Sequence, residues 1–190
     1  MGKRVKLFWE ANNFPIKVIL NYLKFSTKSE KIFDFFIPLL MTGGILLFIF
    51  YKDPSTSTVL KGVKDINNQS LTFISILAGF NIASISVIAT SNSKLFAELK
   101  LKYSKKVEGK SLYEVMLTFF SAAIVTQFFI ILVGIVILVI SSIVNFPNNF
   151  NMYCYHWIFI SIWIYSLITA VFVSLRNLKT LFYILVYEEY

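Results

Sequence analysis

The most constraining feature of this chain is the spacing of its charged side chains. Residues 115–175 form a run of 61 without Asp, Glu, Lys or Arg, and shorter runs of 28 and 17 such residues cover 66–93 and 35–51. A charged side chain at the centre of a bilayer costs at least ~2.5 kcal/mol, so membrane spans largely exclude these residues. The longest run has room for two spans of about 20 residues, with a turn at Pro147 between them.

The uncharged runs predict four transmembrane helices. We place them at 32–51, 71–91, 112–143 and 154–175, which makes the fold an all-α, polytopic membrane protein. A transmembrane barrel would need alternating segments of about 10 residues, and these continuous apolar runs do not alternate. The chain then divides into a basic amphipathic segment at 1–31, a four-helix transmembrane domain at 32–175 with a cytoplasmic hairpin at 92–114, and a cytoplasmic tail at 176–190.

The composition limits the chemistry that the chain can perform. Hydrophobic residues make up 57% of it and charged residues only 15%, whereas a soluble protein has roughly 25% charged residues. One His and one Cys cannot form a metal-ligand set, and no phosphate-binding loop or nucleophile motif occurs. We therefore predict that the protein is not an enzyme and uses no metal or other cofactor.

The basic residues predict the orientation in the membrane. Lys and Arg number seven in 1–31, six in 92–111 and two in 176–190, against three in 52–70 and none in 144–153. Cytoplasmic flanks of membrane spans carry the excess of Lys and Arg. Fifteen basic residues against three therefore place both termini and the middle loop in the cytoplasm.

The N-terminal 31 residues contain a basic amphipathic helix. Four apolar residues repeat at helical spacing and share a face: Ile16, Ile19, Leu20 and Leu23. Such a helix typically lies in the headgroup layer of a membrane, so we predict contacts with anionic lipid through Trp9, Lys17 and Lys24. The alternative is that this helix packs against the ends of the protein's own spans.

The start of the first span carries an acidic residue close to the membrane. Thr27 and Glu30 form a capping-box pattern that predicts a new helix. Asp34 follows, and we expect it to lie at the interface beside Lys31, with a role in ion entry as the alternative.

Small and polar residues of the second span form a single stripe. At 100° per residue, six of them fall within about 80° of one another: Thr72, Ser75, Gly79, Ala83, Ser86 and Thr90. Small residues four apart allow helix backbones to approach closely. The stripe therefore predicts close helix packing, and the alternative is that it lines a narrow polar path in an oligomer.

Two amides lie at similar depth in the second and third spans. Asn81 is off the stripe, and Gln127 has both donors and acceptors to offer it. An amide at mid-membrane needs a hydrogen-bond partner. We therefore predict a hydrogen bond between Asn81 and Gln127, within one subunit or between subunits.

The segment 92–114 is predicted to form a basic helical hairpin below the membrane. Ser111 and Glu114 form a second capping-box pattern, which predicts that the third helix begins at residue 112. The hairpin carries six lysines: Lys94, Lys100, Lys102, Lys105, Lys106 and Lys110. A solvated charged surface is the default for such residues. The alternative is a docking surface for a cytoplasmic protein or nucleic acid, and of these two we favour a protein.

Three features of the sequence carry a resemblance to known membrane proteins. They are the stretch Ser75-Ile-Leu-Ala-Gly-Phe-Asn-Ile-Ala-Ser-Ile-Ser86, the Lys-rich hairpin that follows it, and a long third helix. Over residues 32–175 the layout resembles small four-span membrane proteins of bacterial antiphage defence systems, such as the membrane subunit of the Kiwa system. Membrane accessories of CRISPR systems look similar. The resemblance implies a homo-oligomer in the inner membrane, with a tetramer favoured, coupled to a cytoplasmic partner.

The sequence thus predicts an oligomeric inner-membrane component of an antiphage defence system, which senses or acts at the membrane together with a cytoplasmic protein. One alternative is a stand-alone channel or membrane-permeabilising protein. The other is an accessory subunit of a transporter or membrane enzyme, which would account for the lack of a catalytic motif.

Overall fold

The computed structural model describes residues 2–90, 94–104, 107–144 and 150–187, and in these ranges the chain is helical with no β-strand. The helices are α1 (Gly2–Asn12), α2 (Phe14–Phe25), α3 (Lys28–Lys52), α4 (Thr56–Thr90), α5 (Lys94–Leu101), α6 (Leu112–Ile143) and α7 (Cys154–Tyr187). Four of them, α3, α4, α6 and α7, are long and apolar enough to cross a membrane. The protein is therefore a multi-pass membrane protein.

The four long helices form an up-and-down bundle. Phe50 of α3 contacts Trp157 near the start of α7, and Lys64 near the start of α4 donates to the carbonyl of Ser141 near the end of α6. At the other end, Asn177 of α7 lies beside Phe119 of α6. We call this second end, which also holds α2 and α5, the basic end.

Helix α3 begins and bends as its sequence dictates. The backbone N–H of Thr27 donates to the Glu30 carboxylate at 2.6 Å, and the N–H of Glu30 donates to the Thr27 hydroxyl at 3.3 Å. This capping box satisfies two N–H groups that the first turn would leave unpaired. Residues 32–36 then form a π-helical turn, closed by the bond from the N–H of Ile37 to the carbonyl of Ile32. Such turns interrupt the regular side-chain register and occur often at functional positions.

Two helices extend far beyond the spans predicted from the uncharged runs. Helix α4 begins at Thr56 rather than at 71, and α7 continues through Arg176 to Tyr187 rather than ending at 175. Charge sets the limit of the hydrocarbon region but does not end a helix, because exposed polar residues keep their backbone bonds. With 35 residues, α4 is about 52 Å long, well beyond the ~30 Å hydrocarbon core.

The segment between α4 and α6 folds back on the basic end. Phe96 of α5 is buried with Ile88, Met116 and Phe120. The chain then turns at Gly109, whose φ of +72° suits glycine, and the Ser111 capping box starts α6 at Leu112. A short backbone pairing closes this turn, since the N–H of Leu112 donates to the carbonyl of Lys102 at 2.9 Å.

Helix α2 packs on the bundle through one face. Val18, Tyr22 and Phe25 are buried in a cluster that also contains Phe119 and Val173. The Tyr22 ring meets the Phe119 ring edge to face at 5.6 Å. The face on which α2 packs differs from the one formed by Ile16, Ile19, Leu20 and Leu23, all of which are exposed.

An apolar layer fills the middle of the bundle. Five buried residues form it: Ile74, Ile130, Trp163, Leu167 and Ala170. On one side of it, Asn67 donates to the carbonyl of Gly134 at 3.1 Å. A Cβ at Gly134 would lie 2.7 Å from Leu71 Cδ2, so this glycine allows α4 and α6 to approach closely. On its other side lie the polar groups of the candidate site.

Candidate functional site

A network of four polar side chains joins α4, α6 and α7 inside the bundle. Asn81 Nδ2 donates to Gln127 Oε1 at 3.2 Å, and Gln127 Nε2 donates to the Ser174 hydroxyl at 2.7 Å. Asn177 Nδ2 donates to Asn81 Oδ1 at 3.1 Å. All four side chains are buried, and the exposed fraction of Asn81 and of Gln127 is 0%.

The network contains more members than the sequence indicated. The structure brings Asn81 and Gln127 together within one chain, and Ser174 and Asn177 complete the set. Asn177 lies in the segment 176–190 that was predicted to form a tail, because the fourth helix was predicted to end at 175. Its spacing of three from Ser174 on an apolar helix was the signal that could have identified it, since positions i and i+3 share a face.

A second group of buried polar side chains lies at the basic end. The Arg176 guanidinium forms a buried salt bridge with Asp34, and the Tyr22 hydroxyl donates to the same carboxylate oxygen, Oδ2. The guanidinium carbon lies 4.4 Å from the centre of the Phe119 ring and 5.0 Å from that of Tyr22. We call Tyr22, Asp34 and Arg176 the α2–α3–α7 cluster.

The position of Asp34 corrects the expectation that it lies at the interface beside Lys31. Its exposed fraction is 0%, whereas its neighbours Ile32 and Phe36 are more than half exposed. The π-helical turn of 32–36 surrounds Asp34, and the carboxylate meets Arg176, which is 142 residues away in sequence. A buried carboxylate needs such a counterion because burying an unpaired charge is very costly.

The stripe on α4 points away from its own bundle. All six stripe residues are exposed, and a Cβ at Gly79 would meet nothing within 4 Å. The buried face of α4, with Asn67, Ile74, Asn81 and Ile88, lies on the opposite side of the helix, roughly 160° away. Close packing of the stripe therefore does not occur within one chain, as far as the described residues show.

Three of the four hydroxyl groups of the stripe bond to carbonyls of their own helix. Ser75 donates to the carbonyl of Leu71 at 2.7 Å, Ser86 to that of Ile82 at 3.0 Å and Thr90 to that of Ser86 at 2.7 Å. Bonds of this type let a hydroxyl face an apolar medium without losing its hydrogen bond. The stripe can therefore lie against lipid or against another helix.

The lysines of the hairpin have partners in the same region. Lys102 pairs with Glu98 at 3.0 Å and Lys110 with Glu114 at 3.1 Å, and Lys100 lies 5.0 Å from the centre of the Tyr113 ring. The side chain of Lys94, and the whole of Lys105 and Lys106, lie outside the described residues. The predicted docking surface is therefore described at three of its six positions.

The predicted lipid-contacting residues lie on the outside of the basic end. Trp9 on α1 is exposed, as are Lys17 and Lys24 on α2. Neither lysine falls on the face that packs against α6. The structure therefore leaves all three free to meet a membrane surface.

The described residues offer no group of three or more His, Cys, Asp or Glu side chains that could hold a metal ion. His156 Nδ1 accepts the backbone N–H of Tyr153 at 3.1 Å and its ring lies against Tyr155, while Cys154 beside it is exposed. In its chemistry the site is therefore a set of buried hydrogen bonds and one ion pair. Comparison with protein-family models, curated proteins and solved structures finds no match for this chain.

Proposed function

We propose that the protein is a homo-oligomeric component of the bacterial inner membrane that works with a cytoplasmic protein in antiphage defence. The exposed small-residue stripe of α4 carries this proposal, because it is a helix-packing surface with no partner in the described part of its own chain. The role in defence, the preference for a tetramer and the cytoplasmic partner are drawn from the resemblance of residues 32–175 to membrane proteins of such systems.

Self-association through the stripe fits the physics of membranes. Lipid tails are as apolar as Leu, so helices associate there by close packing of small residues and not by a hydrophobic effect. Ser75, Gly79 and Ala83 lie four residues apart and are exposed. Because Ser75 and Ser86 already bond to carbonyls of their own helix, a second copy can cover these two hydroxyls without leaving them unpaired.

The proposed orientation places the basic end in the cytoplasm. Fifteen of the 18 basic residues belong in sequence to the segments 1–31, 92–111 and 176–190, and cytoplasmic flanks carry the excess of Lys and Arg. In this orientation α1 and α2 lie at the inner surface of the membrane, where anionic lipid attracts Lys17 and Lys24 by about 1 kcal/mol each. The hairpin and the end of α7 then form the surface that a cytoplasmic protein would meet.

Cysteine labelling tests the orientation. In a Cys154→Ser background, we expect a membrane-impermeant maleimide to label Ser57→Cys and Asn148→Cys only from outside and Lys105→Cys only from inside. Labelling in the reverse sense at any of these positions would refute the proposed topology.

A pair of glycine substitutions tests the assembly. Gly79→Leu inserts a branched side chain where the copies would meet and should weaken the oligomer by roughly 1–3 kcal/mol. Gly44→Leu is the matched control, since Gly44 is exposed on α3 and a Cβ there also meets nothing within 4 Å. Native mass spectrometry in detergent should show smaller species for Gly79→Leu alone.

Ion flux in liposomes separates the proposal from the channel alternative. If Gly79→Leu keeps the wild-type oligomer but abolishes a flux that the wild type shows, the stripe lines a path. If oligomer and flux are both those of the wild type, the stripe is not the interface and the proposed assembly is wrong.

A further inference from the structure

The α2–α3–α7 cluster forms a polar contact between α2 and the membrane-spanning helices. Asp34 Oδ2 accepts from the Tyr22 hydroxyl and from Arg176, so one carboxylate oxygen joins three helices. Burial raises the pKa of the Tyr22 phenol, which keeps its proton and remains a donor. When α2 leaves the bundle, the bond between Tyr22 and Asp34 must break.

The cluster is only partly satisfied. Asp34 Oδ1 and Arg176 Nη2 are buried and have no hydrogen-bond partner among the described residues. In a medium of low dielectric constant, a partly satisfied polar group depends strongly on each remaining partner. Removing the Tyr22 hydroxyl should therefore weaken the cluster strongly, because Arg176 is then the remaining side-chain partner of the Asp34 carboxylate among the described residues.

Helix α2 has a second apolar face, which the bundle does not cover. Val18, Tyr22 and Phe25 are buried, whereas Ile16 is 47% and Leu20 59% exposed. Lys17 and Lys24 lie between these two faces and are exposed. An outer apolar face flanked by lysines suits an anionic lipid surface, where the apolar residues enter the acyl boundary and the lysines meet headgroups.

We propose that the α2–α3–α7 cluster is a latch that couples the binding of α2 to an anionic lipid surface to the packing of α3 and α7. This inference rests on the lipid-facing placement of α2 proposed above. Anionic lipid bound to the outer face keeps α2 on the bundle. The Tyr22 hydroxyl then stays hydrogen-bonded to Asp34, which is paired with Arg176. Loss of the lipid contact loosens α2 and leaves the ion pair between α3 and α7 without its third member.

The reactivity of a buried thiol measures how often the latch opens. We introduce Val18→Cys, on the buried face of α2, in the full-length Cys154→Ser protein and reconstitute it in vesicles of phosphatidylcholine with or without phosphatidylglycerol. N-ethylmaleimide reacts with this thiol only when α2 leaves the bundle, so the labelling rate reports the open fraction. Asn21→Cys, at an exposed position outside both apolar faces of α2, corrects for local reactivity.

Removing the Tyr22 hydroxyl should open the latch. We expect Tyr22→Phe to raise the labelling rate about 10- to 100-fold, the range that a hydrogen bond to a charged group supplies. Asp34→Ala should raise it as well, and adding Tyr22→Phe to it should add little because both changes remove the bond between Tyr22 and Asp34. Tyr51→Phe, at a tyrosine that is 83% exposed, should leave the rate unchanged.

The lipid part of the proposal is tested separately. Phosphatidylglycerol should slow labelling of the protein with wild-type Lys17 and Lys24, and charge reversal of both lysines to Glu should remove this effect while leaving the Tyr22→Phe effect intact. If Tyr22→Phe labels at the rate of Tyr51→Phe, there is no latch, whatever the lipid does. If Tyr22→Phe acts but phosphatidylglycerol has no effect, the coupling to lipid is wrong, together with the lipid-facing placement of α2.

Discussion

On the inner face of α4, Asn81 bonds to side chains of α6 and α7, whereas on the outer face Ser75 and Ser86 bond to carbonyls of α4 itself. Both faces therefore carry satisfied polar groups, but only the inner ones depend on other helices. The comparison teaches that polarity alone does not identify a packing surface in a membrane protein. What matters is whether the hydrogen-bond partner lies on the same helix, because such a group can face lipid or a neighbour equally well.

The largest expected effect on stability comes from the buried ion pair between Asp34 and Arg176. Arg176→Ala leaves the buried Asp34 carboxylate without its counterion and should destabilise the chain by about 3–5 kcal/mol. Thermal unfolding in detergent, followed by circular dichroism, measures this change. The double variant Arg176→Ala with Asp34→Ala should recover much of the loss. A double variant as unstable as the single one would mean that packing, not charge, dominates at this position.

Two glycines provide the next test: Gly134 of α6, which packs against the inner face of α4, and Gly79 on the outer face of α4. Gly134→Ala places a Cβ 2.7 Å from Leu71 Cδ2, and this overpacking should cost about 1–3 kcal/mol. Gly79→Ala meets open space and should be neutral or stabilising by up to about 1 kcal/mol, since alanine favours a helix. The same unfolding measurement on the isolated protomer compares them. Equal effects at the two positions would remove the distinction between the faces.

A smaller loss is expected within the amide network. Gln127→Leu removes the bonds to Asn81 and Ser174, and interhelical hydrogen bonds in membranes contribute roughly 1–2 kcal/mol or less. Asn81 keeps its bonds to Ser174 and to the carbonyl of Leu77, which limits the loss. Gln69→Leu, at an exposed glutamine, is the control and should have little effect on unfolding.

The smallest effect belongs to the outer face. Ser75→Ala removes a hydroxyl that bonds only to the carbonyl of Leu71 in the described structure, so the stability of the protomer should change by less than about 0.5 kcal/mol. Ser174→Ala, its counterpart inside the bundle, loses contacts with Asn81 and Gln127 and should be clearly more destabilising. A larger loss at Ser75 than at Ser174 would contradict the comparison of the two faces.

The transmembrane helices were predictable because the exclusion of charge from the hydrocarbon core produces long uncharged runs in the sequence. Of the three observed ends that the prediction placed correctly, Leu112 follows the Ser111 capping box, and Ile143 and Cys154 flank the turn predicted around Pro147, which lies outside the described residues. The start of α4 and the end of α7 were misplaced because those segments are polar yet helical. Helix ends of this kind depend on backbone bonds, which composition does not reveal.

The candidate site was predictable only in part. Matching depth was enough to pair Asn81 with Gln127, since an amide in a membrane must find a partner. The pairing of Asp34 with Arg176 depends on how α3 and α7 meet, and a separation of 142 residues leaves no local pattern. Arg176 itself was counted with the cytoplasmic tail because an isolated arginine at the end of an apolar run has the same sequence pattern whether it is buried or solvated.

The apolar layer of Ile74, Ile130, Trp163, Leu167 and Ala170 has a consequence for transport. It separates Asn67 from the network around Asn81, and all five residues are at least nine-tenths buried. Water fills a cavity only where several polar groups hold it, and the five side chains of this layer offer one polar atom, Trp163 Nε1, so the layer limits hydration along the axis of a single chain. An ion crossing by way of this protein would pass between copies, and the current per molecule would rise with the protein-to-lipid ratio instead of staying constant on dilution.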